Sequence, residues 1–217
     1  LLSNTPAGFN LPSKKNSAPP SSARLTRDDW LDAAFQAVVD GGFDSVRVLV
    51  LADKLGVTRG SFYWHFTDHA ALVQALLERW QSQEIERDQR LQAQSSDDPQ
   101  EDLERLLDTA LNHAGLDMEN IRFELALRTL GRSEPSVASM LVEVDRVRMK
   151  LFEQKFLTLT RDSTMAHELA ALFYLAIVGS HQAISRPTSP PMAKAFFKSI
   201  IGRYLILQHA PGLNTTR

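Results

Sequence analysis

TRGSFYWHF, residues 58–66, follows directly on LADKLGV, residues 51–57, and this pair decides the fold. Together they read as a helix, a tight turn and a second, short helix. Gly56 at the joint supplies the backbone freedom that a sharp helix–helix turn needs. Thr58 stands where an N-cap belongs, with a hydroxyl able to take an orphan backbone N–H. Tyr63, Trp64 and His65 are consecutive, so a helical chain cannot turn all three toward one core. Large polar-tipped side chains that point outward want a partner, and a DNA groove would supply one.

With GGFDSV, residues 41–46, ahead of it, LADKLGVTRGSFYWHF resembles the helix-turn-helix of tetracycline-repressor-type (TetR family) transcriptional regulators. The shared pattern is a glycine-aromatic turn, a Leu-Ala helix start, Gly-Val-Thr at the second turn and a closing Gly-x-Phe-Tyr-x-His-Phe. It covers roughly residues 25–75, about a quarter of the chain. The remainder resembles the family only in general helical character.

With no strand pattern anywhere, the chain reads as all-α with about nine helices, and the resemblance implies a DNA-contacting set. That set is Arg47, Thr58, Arg59, Gly60, Ser61, Tyr63, Trp64, His65 and His69. Arg59, Ser61 and Trp64 fall where family members meet bases or the adjacent backbone, and an arginine there can reach guanine O6 and N7. Tyr63 and His65 match the family's Tyr-x-His, whose members donate to phosphate oxygens and fix register without reading sequence. The alternative for these two is packing against the first helix. Leu51, Ala52, Leu55, Val57, Phe62 and Phe66 would form the module's small core. The family usually places lysine where this chain has His69, and a histidine adds charge there only when protonated. His65 and His69 are four apart, but a helix boundary at Thr67-Asp68 argues against a metal pair.

Composition narrows the classes. Hydrophobic residues make up 43% of 217, enough for a sizeable core. No apolar run approaches the length of a membrane span, and no signal-peptide pattern is seen at the start of this sequence. The expectation is a cytoplasmic protein. With no cysteine there is no disulfide, thiol catalysis or thiolate metal site. Net charge is −2, and residues 1–70 balance seven Lys/Arg against seven Asp/Glu. A DNA surface must therefore be a local patch rather than a global excess.

Three units follow along the chain. Residues 1–23, rich in proline and serine, read as a flexible arm. Residues 24–70 form the helix-turn-helix module, its first helix opened by a T-x-x-D capping box at Thr26. Residues 71–217 form a helical ligand-binding and dimerisation unit. Its helices run from about 68 to 93, from Pro99 to Ala114, and from Met118 to Leu130. The next is capped by Ser133, with Arg146, Arg148 and Lys150 read as a solvated face. Two more follow, about 162–185 and 192–208, the first apolar nearly all round.

Ligand candidates between these helices are His113, Met118, Phe123, Phe152, Phe173, Tyr174 and His181, each equally explained by ordinary core packing. Dimer candidates are Ala171, Gly179, Ala183, Phe197, Ile201 and Tyr204, because the apolar surplus of the last two helices exceeds what a monomer can bury. Family resemblance implies a homodimer on two DNA half-sites, a ligand-responsive repressor whose effector is a small apolar or aromatic molecule, and no cofactor. An interaction protein with a vestigial DNA module is the alternative, favoured by the neutral charge of residues 1–70. The chain lacks GxSxG, HExxH and a Walker loop, so an enzyme is not expected.

Overall fold

The computed structural model describes residues 25–94, 96, 98, 101–102, 105–109, 118–182, 195–196 and 198–200. Every regular element among them is helical. The expected arm, and most of the expected last helix, lie outside the described residues.

Helix α1 (Arg27–Gly41) opens on the expected capping box. Thr26 Oγ1 accepts from the Asp29 backbone N–H at 3.2 Å, and Asp29 Oδ2 accepts from the Thr26 N–H at 2.6 Å. It buries Trp30, Leu31, Ala34 and Val38. A 3-10 turn (Phe43–Ser45) leads to α2 (Val48–Lys54), then α3 (Arg59–Phe62). Gly56 between α2 and α3 has φ 68°, which a side chain would strain.

Helix α3 is shorter than the motif suggests: residues 63–66 continue as a turn, with the His65 and Phe66 N–H groups both reaching the Phe62 carbonyl. Thr58 occupies the N-cap position, but its hydroxyl makes no capping bond. Asp68 does cap α4 (His69–Ala93), its Oδ1 accepting from Ala71 N–H at 2.8 Å.

Then come α5 (Met118–Leu130), α6 (Pro135–Thr160) and α7 (Ser163–Gln182). Ser133 is not the cap of α6. Its hydroxyl donates to the Leu130 carbonyl at 3.1 Å, Glu134 holds the N-cap position, and Pro135 starts the helix, where its missing N–H costs nothing. Asp162 caps α7, its Oδ1 accepting from the Thr164 and Met165 N–H groups.

Two hydrophobic clusters hold these helices together. The first joins α1, α2, α3 and the N-terminal half of α4 to Phe123 and Leu127 of α5 and Val137, Leu141 and Val144 of α6. Its packing therefore does not stop at residue 70. Phe123 stacks on Phe35 with centroids 4.7 Å apart, and Phe43 fills in against the same ring. The second cluster gathers Leu106 and Leu107 with Leu151, Phe152 and Phe156 of α6 and Leu169, Ala170 and Phe173 of α7.

Between the clusters lies a buried charge network, which corrects the reading of Arg148 as solvated. Arg148 donates two bonds to Glu124, at 3.0 and 3.1 Å, and a third to Glu84. Its Nε stands 3.6 Å from Asp88 Oδ2. Arg87 pairs with Glu84 at 2.6 Å. Arg128 bridges Glu124, at 2.7 Å, and Asp145, at 2.8 Å. Arg146 does behave as expected, pairing with Glu143 at the surface.

Burial works against the ionised form of Glu124, but the two arginines prevail and hold it down at about 2. Burial pushes Asp88 the other way, up to about 7, opposed by Arg148 and reinforced by the charge of Glu84.

Two outcomes are expected. Phe62 is fully buried against Trp30 and Phe66, so Phe62→Ala lowers stability by about 3–5 kcal/mol in urea unfolding; a loss near zero would mean the site is not packed. Asp88 holds a proton in the folded state that it releases at lower pH when unfolded. Its contribution to stability is thus complete below the ordinary carboxyl value of 3.8 and lost as pH rises through about 7. Asp88→Asn should stabilise the protein by about 1–3 kcal/mol near pH 8 and by much less near pH 5. Equal effects at both pH values would contradict this.

Candidate nucleic-acid interface and ligand cavity

Helix α3 divides its side chains between core and surface within a single turn. Phe62 points inward, with its ring 5.3 Å from Trp30 edge-on. Trp64 is 80% exposed and Tyr63 51%. Arg59 and Gly60 are exposed, and Ser61 is half-buried. The Arg59 guanidinium folds back on Tyr63, donating from Nη2 to the phenol oxygen at 2.9 Å and lying over the ring. Arg27 covers Phe66 in the same way, 5.0 Å from the ring centroid.

Most of the sequence-derived set is exposed or half-buried. Arg47, exposed, begins α2 and donates from Nε to the Asp44 carbonyl at 3.1 Å. Thr58 is exposed at the head of α3, and His65 is half-buried in the turn behind it. His69 differs from expectation. Its Nε2 is 2.6 Å from the Val46 carbonyl, so that nitrogen ties α4 to the loop before α2 and is not directed at a phosphate. His65 lies in the turn and His69 begins α4, so the two do not share one helix. Leu49 and Val50, at 64% and 54% exposed, extend the surface with apolar area at the start of α2.

A second feature lies between α4, α5, α6 and α7. The cavity there measures about 100 Å³ and opens to solvent, smaller than the usual drug-sized ligand site. Of the sequence-derived ligand candidates, Phe152, Tyr174 and His181 line it. Phe123 and Phe173 do not: each is buried in a core cluster. Met118 is 41% exposed at the start of α5, and His113 lies outside the described residues.

Sequence reasoning missed the charged lining, namely Glu84, Arg87 and Asp88 of α4, Glu124 of α5 and Arg148 of α6. One signal was present. The buried stripe Leu72, Leu76, Trp80 continues at the same spacing into Glu84 and Asp88, placing two acids on an inward face. Burial pushes the Tyr174 phenol up to about 12, with Asp145 adding to the effect and Arg128 opposing it.

The outer side of α7 exposes Leu172, at 51%, and Leu175, at 66%, and a Cβ on Gly179 would meet open space. These three share one face of the helix. Ala171 is half-buried beside them. Ala183, Phe197, Ile201 and Tyr204 lie outside the residues whose side chains are described. No helix among the described residues is long and apolar enough to cross a membrane.

Comparison with known proteins agrees with this geometry. Over 56 residues the chain is 43% identical to the transcriptional regulator TtgR of Pseudomonas putida, a match covering 26% of this chain and 27% of TtgR. Over 54 residues it is 39% identical to the class D tetracycline repressor protein of Escherichia coli, covering 25% of each. The chain thus matches about a quarter of the length of these relatives. Among solved structures, a candidate transcriptional regulator from Saccharomonospora viridis in complex with choline superposes with a TM-score of 0.68 at 20% identity, covering 81% of this chain and 95% of that one. That likeness extends the shared all-α fold well beyond the module. Residues 31–76 match the bacterial regulatory proteins, tetR family.

Proposed function

We propose that this protein is a sequence-specific DNA-binding transcriptional regulator, a ligand-responsive repressor that acts as a homodimer. One observation carries the reading: a four-residue helix whose inward Phe62 is fully buried turns Arg59, Tyr63 and Trp64 to the surface. Trp64, in the turn that follows, stands 80% exposed beside the 51% exposed Tyr63, a pair of outward aromatic side chains. A major groove accepts such a helix, and flanking phosphates accept hydrogen bonds from a phenol and an imidazole.

In this reading Arg59 leaves Tyr63 on binding and reaches a guanine edge. Tyr63 and His65 fix the register, and Arg47, Thr58, Gly60 and Ser61 approach the backbone. One short helix gives little affinity, so two copies act together, and the apolar face at Leu172, Leu175 and Gly179 supports pairing through α7. Helix α4 supplies the link to an effector. It begins beside the module at His69 and carries Glu84 and Asp88 into the cavity. Fifteen residues of helix separate His69 from Glu84, about 22 Å. An effector that binds one setting of this helix more tightly than another shifts the dimer between them, by no more than that difference in affinity. The choline in the Saccharomonospora viridis structure supports a small-molecule effector in this fold.

Selection from fragmented genomic DNA tests the reading. The wild-type protein should enrich an inverted repeat, and the Tyr63→Ala, His65→Ala double variant should not. No enrichment at low salt would contradict it and favour the vestigial-module alternative. On the selected site, Arg59→Ala should cost about 1–3 kcal/mol and relax preference at one position, whereas Tyr63→Phe should weaken binding to all sequences alike.

A further inference from the structure

The charge network that borders the cavity is out of balance whenever Asp88 is ionised. Four carboxylates, Glu84, Asp88, Glu124 and Asp145, meet three guanidiniums, Arg87, Arg128 and Arg148. Glu84, Glu124 and Asp145 each accept at least one charged bond of 3.0 Å or less. Asp88 is the exception. It is 94% buried by its 6% exposure and lines the cavity; among the described residues its Oδ2 has no hydrogen-bond partner, and Arg148 Nε approaches it to 3.6 Å.

A buried oxygen in that state is costly. Each class of occupant changes this cost differently. An anion would add a fifth negative charge, while a neutral hydroxyl would give Oδ2 a donor and leave the charge unmatched. A cation supplies both. Apolar surface from Leu91, Phe152 and Ile177 borders the same space. Among the described residues no three side chains are grouped to hold a metal ion, so the charge that fits is an organic one.

We propose that this cavity binds an organic cation with an apolar body, its ammonium set against Asp88 and its hydrocarbon against Leu91, Phe152 and Ile177. This deepens the effector part of the proposed function and rests on it. It also links binding to a proton. Burial leaves Asp88 partly protonated near neutral pH, and a cation requires it ionised, so binding releases a proton. The charged and titratable groups around Asp88 are Glu84 and Arg87 from its own helix, Glu124 from α5, Arg148 from α6, and Tyr174 and His181 from α7.

Calorimetric titration of the full chain with 3-phenylpropylammonium, 3-phenylpropan-1-ol and 3-phenylpropanoate tests this, because the three share one hydrocarbon body. Near pH 8 the ammonium should bind about tenfold more tightly than the alcohol, with the carboxylate weakest. That preference should shrink toward about pH 6 and disappear in Asp88→Asn. Equal affinities, a tighter carboxylate, a preference that survives Asp88→Asn, or no binding of any of the three at millimolar concentration would overturn the proposal. DNA selection on the same preparation separates the failures. Sequence-specific DNA binding without ammonium preference removes only the cation assignment. Ammonium preference without sequence-specific DNA binding removes the regulator reading and leaves the cation site.

Discussion

A helix of four residues has no stability of its own, since nucleation consumes what so few hydrogen bonds return. Helix α3 exists because Phe62 is buried against Trp30 of α1 and Phe66 of the following turn. That one insertion fixes which way the rest of the turn faces. With Phe62 committed inward, Tyr63 and Trp64 are driven outward, and Arg59, four residues ahead of Tyr63, joins them. The outward surface of α3 and the following turn is thus a by-product of packing, and its precision is inherited from the core.

The same dependence runs through α4. Its first half belongs to the hydrophobic cluster under the module, through Leu72, Leu76 and Trp80. Its second half carries Glu84 and Asp88 into the charge network. A buried network of this kind adds little net stability, because desolvating its members offsets most of their attraction. Its contribution is geometric: Arg148 and Arg128 tie α4, α5 and α6 to one another at defined points. A ligand that changed the charge state of one member would disturb contacts on three helices together, the first of which, α4, continues from the helix-turn-helix module.

The helix-turn-helix was legible because its determinants are local. Gly56, the buried Leu51, Ala52, Phe62 and Phe66, and the outward Tyr63-Trp64 pair all lie within one short stretch of sequence. The first cap was legible too, as Thr26 and Asp29 are three apart. The cavity was not. Arg148 sits among charged neighbours at positions 143–150 and looks like one more solvated side chain; only the packing of α6 against α4 and α5 turns it inward. Phe123 and Phe173 misled for the opposite reason, since an aromatic on an apolar helix face looks the same whether it fills a core or borders a void. His69 matched a family position by spacing, yet the Val46 carbonyl that occupies its Nε2 comes from a loop 23 residues earlier.

A hydroxyl-radical footprint on the selected DNA measures most directly whether α3 works as this packing implies. Two protected backbone patches on one side of the duplex, about one helical turn or a whole multiple apart and symmetric about a dyad, are the expected result. Both should vanish in the Tyr63→Ala, His65→Ala variant. A single or unphased patch, or protection that persists in the variant, would contradict recognition through α3 by a two-fold dimer.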